Sequence, residues 1–327
     1  MLATDARKCH RVKYTSIAGG EVEVTHYDLP ENHAGGESFC IIMLPDSQNY
    51  VKDENNLHCF EGQINWIFAN RERLGIKFVT HVGDISNDDE DEAQFKRGFW
   101  TLGKLNGAVP WGICAGNHDM SADGSAPYFE KYFPPSVGDH RSDWIGSYDG
   151  NKHNAQKVTI NGKDHIFIHL AYIPSDGAVE WAKKIIEANP TAYVTITTHA
   201  FLICDWSEKG IARRESRVSL SDARMHKDGT NAGEQIFEKL VKPYDNVRMV
   251  LNGHYVGRLY RELKIGERRV HAILADLEHE KPYGGNGFLR IIQFVPSEGK
   301  IYNYTYSPTL DAYKLGEYDS FVLDLNY

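Results

Sequence analysis

The sequence predicts an α/β fold, and three observations predict it. From Phe39 onward, short apolar runs rich in β-branched and aromatic residues alternate with stretches of helical periodicity. Beyond Gly253 the texture turns β-rich. The chain has 327 residues, 41% of them hydrophobic, enough to bury a sizeable core.

The elements follow in order. Residues 1–38 are polar and carry glycine pairs (AGGE, HAGGES); they read as an extension with one short strand, EVEVTHY. Residues 39–327 read as the folded domain. FCIIML is a continuous apolar run and reads as a buried strand. LHCFEGQINWIFANRERL reads as a helix, because Phe60, Ile64, Ile67, Phe68 and Leu74 recur near helical spacing on one stripe. IKFVTHV is the next strand. EDEAQFKRGFWTLGKL is the next helix, opened by the acidic run DDEDE where negative charge is favourable. VPWGICA, HIFIHLAY, AYVTITTHA and VRMVLNGH read as further strands, with helices at GAVEWAKKIIEAN and AGEQIFEKLV. GRLYRELKI, RRVHAILAD, FLRIIQFV, KIYNYTYSP and FVLDL read as meander hairpins packed as a second sheet. Long loops are expected at 120–155 and 203–230.

Charge and composition narrow the function classes. A net charge of −9 argues against broad binding to nucleic acid or to an anionic membrane. No run reaches the roughly 18 apolar residues of a membrane span, and MLATDARKCHRVKYTS lacks an apolar signal core. The five cysteines (Cys9, Cys40, Cys59, Cys114, Cys204) are scattered, with no C-x-x-C pair. That usage fits reduced thiols, so a soluble cytoplasmic protein is expected.

The chemistry sits just after the strands. Asp46 follows IIMLP, Asp84 follows FVTHVG, and GNHD (Gly116 to Asp119) follows WGICA. His199 follows TITT, and Gly253-His254 follows MVLN. Ligands of open α/β sheets bind beyond the carboxyl ends of strands. Carboxylates, imidazoles and an amide oxygen form the ligand set of a Zn, Mn, Fe or Mg centre. Singly, each residue also has a structural role: an aspartate after a strand caps a turn, and a buried histidine hydrogen-bonds in a core.

Taken together, in this order, these motifs resemble the calcineurin-like metallophosphoesterase superfamily over roughly residues 39–260, with GNHD the most specific part. The resemblance implies a four-layer αββα sandwich with two metals at the strand ends. It implies that Asp84 bridges both ions, that Asn117, His199 and His254 complete one site, and that Asp46 binds the other ion. It implies that His118 faces the scissile phosphate as the acid and that Asp119 orients it. Two ions about 3.5–4 Å apart clamp a phosphoryl group and acidify a water, which then attacks phosphorus in line.

Two motifs depart from the family pattern. The first is usually Asp-x-His and here is Asp46-Ser47-Gln48. The last is usually Gly-His-x-His and here is Gly253-His254-Tyr255-Val256. Both missing imidazoles belong to the Asp46 ion. Three readings remain open: an oxygen-ligated second ion using Asp46, Asp84, the Gln48 amide and water; a single stably bound metal; or a scaffold without catalysis. An oxygen-ligated site favours Mg, Mn or Ca. Asn87 stands where a tyrosine binds metal in the purple acid phosphatases, which lack the same first-motif histidine; it is a further candidate ligand, as is His279. A bacterial subgroup of the family carries LPDTQ-Y followed by F-x-x-Q-x-x-W-I. This chain has LPDSQNY followed by Phe60-Glu61-Gly62-Gln63-Ile64-Asn65-Trp66-Ile67.

On the substrate side, Arg213, Arg214 and Arg217 cluster in the loop after His199 and suit bidentate phosphate contacts, although a solvated loop also carries such charges. Tyr50, Trp206, Tyr255 and Tyr283 could stack on a base, with packing as the alternative role. The expected function is hydrolysis of a phosphodiester or nucleotide-like ester with one or two divalent ions (Mn, Mg, Zn or Fe, with Ca as a further candidate). A phosphomonoesterase and a non-catalytic binding scaffold are the alternatives.

Overall fold

In a computed structural model, residues 9–15, 21–27, 37–204, 209–211 and 226–325 are described, with backbone alone at 9–15, 21–27 and 209–211. The chain opens with β1 (Cys9–Thr15) and β2 (Glu21–Tyr27), an antiparallel pair. The single expected strand, EVEVTHY, therefore has a partner in CHRVKYT.

Strand β3 (Phe39–Leu44) leads through the short helix α1 (Gln48–Lys52) and α2 (Leu57–Asn70) to β4 (Ile76–His81). Helix α3 (Glu92–Leu102) starts where the Asp91 side chain accepts from Ala93 N at 3.0 Å, and β5 (Trp111–Ile113) follows. The stretch expected as a loop at 120–155 contains α4 (Pro127–Tyr132), β6 (Trp144–Tyr148) and the start of β7 (His153–Ile160). Pro127 begins α4, where its fixed φ suits the first helical turn. β6 escaped notice because it is short, none of its residues is fully buried, and its apolar residues Trp144, Ile145 and Tyr148 do not alternate.

The chain continues through β8 (Lys163–Leu170), α5 (Asp176–Ala188), β9 (Tyr193–Thr198), and a small hairpin of β10 (Leu202–Cys204) and β11 (Lys209–Ile211). AGEQIFEKLV forms α6 (Gly233–Ile236) and a π-helical turn over Phe237–Val241. β12 (Val247–Asn252), β13 (Gly257–Ile265), β14 (Arg268–Asp276), β15 (Leu289–Val295), β16 (Lys300–Ser307), β17 (Ala312–Lys314) and β18 (Ser320–Asp324) complete it.

Two seven-stranded sheets result. One runs β17-β16-β15-β3-β4-β5, with β18 also on β16; the other runs β13-β14-β12-β9-β8-β7-β6. The late strands do not pack as a sheet of their own, as their sequence suggested. β13 and β14 join β12, whereas β15 to β18 extend the sheet of β3. Every residue of LRIIQFV is buried, so β15 requires a strand on both sides and cover on both faces.

Strand alternation builds the layers. Phe39, Ile41 and Met43 of β3 meet Phe78, Phe167, Met249, Leu251 and Ile273 between the sheets. The rings of Phe78 and Phe167 stack across that interface at 3.7 Å between centroids. Cys40, Ile42 and Leu44 face the other way, toward Phe60, Ile64 and Ile67 of α2. Helix–sheet–sheet–helix is thus the expected four-layer α/β sandwich. Strands β3, β4 and β5 are mutually parallel, as are β8, β9, β12 and β14.

Candidate metal centre

Both sets of parallel strands deliver their following loops to one end of the sandwich. The loops are joined there by backbone hydrogen bonds: Ser47 N to Asp84 O at 3.1 Å, Tyr172 N to Ala115 O at 2.9 Å, and Gly253 N to His199 O at 3.1 Å. The second of these connects one sheet to the other.

Asp84 stands just past β4 with φ of 52°, and His254 just past β12 with φ of 69°. Left-handed backbone at a non-glycine residue costs on the order of 1–3 kcal/mol and persists where neighbours over-determine it. Here each is held by a neighbouring loop. His118 N donates to Asp84 Oδ1 at 2.9 Å, and His254 N donates to Asp46 Oδ2 at 2.9 Å. The loops approach this closely because Gly116 and Gly253 lack a Cβ; one added to either would lie 2.0 Å from Asp84 Oδ1 or Asp46 Oδ1.

His199 is fully buried. Its Nδ1 lies 2.9 Å from Val82 O, which assigns the proton to Nδ1 and leaves the Nε2 lone pair facing inward. That lone pair meets Asn117 Oδ1 at 3.0 Å and Asp84 Oδ2 at 3.2 Å. Three acceptors converging on one point require a cation or a proton between them. Ligand atoms of Asp84, His199 and His254 lie within 4.8 Å of one another. The His254 ring lies 4.9 Å from that of His199 and 4.8 Å from that of Tyr172. Burial pulls the His199 pKa down, but the Asp84 carboxylate more than offsets it, leaving the imidazole above its ordinary value. Burial pushes Asp84 upward, and His199 carries it below the usual carboxylate range.

The Asp46 side differs. Asp46 is 2% exposed, and its Oδ1 has no hydrogen-bond partner. Burial, then Asp276, Asp84 and Glu278, hold its carboxyl well above the usual range. Asp276 is pushed up to about 7, first by burial and then by Glu278. Glu278 is raised by burial and by Asp84. Four carboxylates share one buried region, a costly arrangement unless a cation compensates it. The donor set and the orphaned Asp46 oxygen therefore fit divalent ions at this end of the sandwich.

Asp46, Asp84, Asn117, His118, His199 and His254 come together. Gln48 is buried beside Asp46, and its Nε2 donates to Glu278 Oε2. Asn87 turns its amide oxygen to Lys52 Nζ at 3.3 Å, and its carbonyl meets His118 Nδ1 at 2.9 Å. Orientation of His118 therefore falls to the Asn87 carbonyl. The Asp119 carboxylate instead accepts from Gly116 N, Ile85 N, Ser86 N and Ser86 Oγ at 2.8–3.2 Å, bracing the GNHD turn against the GDIS turn. Val256, in the position of the second missing imidazole, is 41% exposed. His279 is exposed, with its ring 3.5 Å from Glu278 Oε1. Tyr50 is buried and accepts from Gly287 N at 2.9 Å. Arg213, Arg214, Arg217 and Trp206 lie outside the described residues.

Two acids were missed: Asp276 and Glu278. The signal was available, since RRVHAILAD is a strand ending in an acid, as FCIIMLPD is. Its place beside β12 was not. A cleft of about 720 Å³ lined by Asn49, Lys52, Glu278 and His279 opens beside this group. Another cavity, of about 740 Å³, adjoins Trp111 and Arg141 at the amino end of β5, the wrong end for the centre.

A family model for calcineurin-like phosphoesterases matches residues 41–258. An uncharacterized protein of Bacillus subtilis (strain 168), YvnB, is 30% identical over 305 residues, 89% of this chain and 22% of that protein. The chain thus spans about a fifth of the length of that relative. Among solved structures, the purple acid phosphatase PPD1 from yellow lupin (Lupinus luteus) seeds superposes with a TM-score of 0.54 at 10% identity, covering 96% of this chain and 59% of that one. GAP50, the anchor in the inner membrane complex of Plasmodium, gives 0.50 at 13% identity, covering 88% and 89%. At these identities the likeness is one of fold.

Proposed function

The chain belongs to the calcineurin-like phosphoesterase family, and we propose from that premise that it hydrolyses a phosphodiester or nucleotide-like phosphate ester with bound divalent ions. The observation that carries this reading is the meeting of Asp84 Oδ2 and Asn117 Oδ1 on the unprotonated Nε2 face of buried His199. Asp84, Asn117, His199 and His254 would hold one ion, and Asp46 and Asp84 a second. Such ions supply charge neutralisation at the phosphoryl oxygens and acidify a water. Manganese is the ion we expect to support the highest rate.

The chain's own groups do the rest. His118 is exposed at the mouth of the centre. Its Nδ1–H donates to the Asn87 carbonyl, so it is the doubly protonated ring that would give its Nε2 proton to the leaving oxygen. Asp119 keeps that loop in register through backbone N–H groups. The free thiols of Cys40, Cys59, Cys114 and Cys204 support a reducing, cytoplasmic setting, and recovery in an extracytoplasmic fraction would count against it.

Turnover of bis-p-nitrophenyl phosphate and p-nitrophenyl phosphate with Mn, Mg, Zn or Ca added tests the reading. Faster cleavage of the diester is expected. Faster cleavage of the monoester reassigns the enzyme to phosphomonoesters. Absence of turnover with every ion, in wild type and His118→Ala alike, overturns hydrolysis in favour of a binding role.

A further inference from the structure

We propose that Glu278 replaces the two missing imidazoles, so that the second ion is held by Asp46, Asp84 and Glu278 in an all-oxygen site, with Gln48 and Asn49 as positioning residues. The inference rests on the proposed metal-dependent reading and adds to it a ligand from a strand end that the family motifs do not include.

The first argument is placement. Asp276 ends β14, which lies parallel to β12 and next to it, so the loop after β14 arrives beside Gly253-His254. Asp276 Oδ1 accepts from Glu278 N at 3.1 Å, a local turn that directs the Glu278 side chain. Gln48 Nε2 donates to Glu278 Oε2, and Asn49 Nδ2 reaches the same oxygen at 3.2 Å and the Glu278 carbonyl at 3.1 Å. The residue standing where the first-motif histidine is lost therefore grips a carboxylate 230 positions away.

The second argument is unmet hydrogen-bonding capacity. Asp46 Oδ1, Gln48 Oε1 and Asp276 Oδ2 are buried without a partner, on side chains that are 2%, 4% and 1% exposed. A cation between them would satisfy these oxygens. Of the cations near these acids, Arg258 is occupied with Glu280 and Asp319, and Lys52 donates to the Asn87 amide oxygen. Among the described residues the ligand atoms of Asp84, His199 and His254 already converge within 4.8 Å; Glu278 would turn toward Asp46 and Asp84 as the second ion binds.

The third argument is chemical. Carboxylates without imidazole select a hard ion such as Mn, Mg or Ca, and bind it more weakly than the Asp84–Asn117–His199–His254 site binds its own. Glu278 also lines the cleft and is the proposed ligand nearest solvent. The centre is thus graded, with one tight mixed-ligand ion and one exchangeable oxygen-ligated ion.

Calorimetric titration of chelator-stripped protein with Mn, paired with metal analysis after desalting, tests this. Wild type is expected to bind two ions, the second more weakly. Glu278→Gln is expected to keep the tight ion and to weaken the other at least about tenfold. Gln48→Met is expected to weaken it less, and Glu278→Asp to restore part of it. Melting of the stripped variants separates a ligand effect from misfolding: Glu278→Gln, relieved of a buried charge, is expected to melt at or above wild type. Unchanged Mn binding in Glu278→Gln, or a single ion in wild type, overturns the proposal. Loss of one ion from Glu278→Gln in a protein that cleaves no ester leaves this site standing and removes the hydrolase reading instead.

Discussion

Gly253→Ala tests the geometry of the centre without touching any group that carries charge. A Cβ at Gly253 would lie 2.0 Å from Asp46 Oδ1, 2.9 Å from Asp46 Cγ and 2.6 Å from Val82 Cγ2, where real Cβ contacts essentially never fall below 3.0 Å. Relief requires a shift of about 1 Å, enough to cost on the order of 10²-fold in catalysis when reacting groups are displaced. Asp46 has little room to yield, being 2% exposed with Oδ2 held by His254 N. The residue most directly moved is therefore His254 itself. Overpacking of this kind also costs about 1–3 kcal/mol of stability. The assay is kcat/KM on the better nitrophenyl ester at saturating Mn, with Mn titration and thermal melting of the same preparation. A fall of roughly 10²-fold with weakened Mn binding is expected. Gly146→Ala is the control, since nothing lies within 4 Å of its added Cβ. Wild-type rate and Mn binding in Gly253→Ala would refute the close packing of Asp46 against the Gly253-His254 turn.

Three further outcomes are expected. Stripped of metal, wild type should lose stability relative to Asp276→Asn as pH rises. Asp276 and Asp119 titrate at about 7 and about 6 in the folded chain, against about 4 unfolded. Between those values the unfolded chain has released protons that the folded chain retains, so folding weakens with pH until the folded groups ionise. Melting of wild type and Asp276→Asn at about pH 5 and about pH 8 checks this: the opposing effect of buried His81, His153 and His169, whose pKa values burial lowers to about 3, cancels in the comparison, and a difference that does not change with pH contradicts it. His118→Ala should retain its ions and lose about 10²–10⁴-fold in rate, more for an alkyl ester than for p-nitrophenyl esters, whose leaving group needs no acid; an equal loss on both would remove the acid role. Phe78→Ala should cost about 3–5 kcal/mol in chemical denaturation by emptying one side of the inter-sheet stack, and a cost below about 1 kcal/mol would place Phe78 outside the core.

Legibility was uneven for physical reasons. FCIIML, IKFVTHV and VRMVLNGH are buried on both faces, and such strands announce themselves as continuous apolar runs. WIGSY is half-buried and did not. Asp84, Asn117, His199 and His254 were legible because each follows its strand within a few residues. The orientation of His118 was not, since its partner is a backbone carbonyl, that of Asn87, and a carbonyl has no residue signature. Asp119 was expected to orient that ring and instead braces two turns, a choice set by which N–H groups the folded loops present to it.

Residue order and strand periodicity alone determined the α/β class and the end of the sandwich where the acidic and imidazole side chains gather, and the family resemblance supplied the candidate ligands of one ion. Set against the family pattern, the first and last motifs also lack imidazoles on the Asp46 side. Only the tertiary structure decided which other side chains gather there. β14 pairs with β12 through contacts between residues far apart in sequence, and no local pattern encodes which strand becomes a neighbour. That pairing brings Asp276 and Glu278 to Asp46, and it turns Gln48 from a lost ligand into the hand that holds a carboxylate.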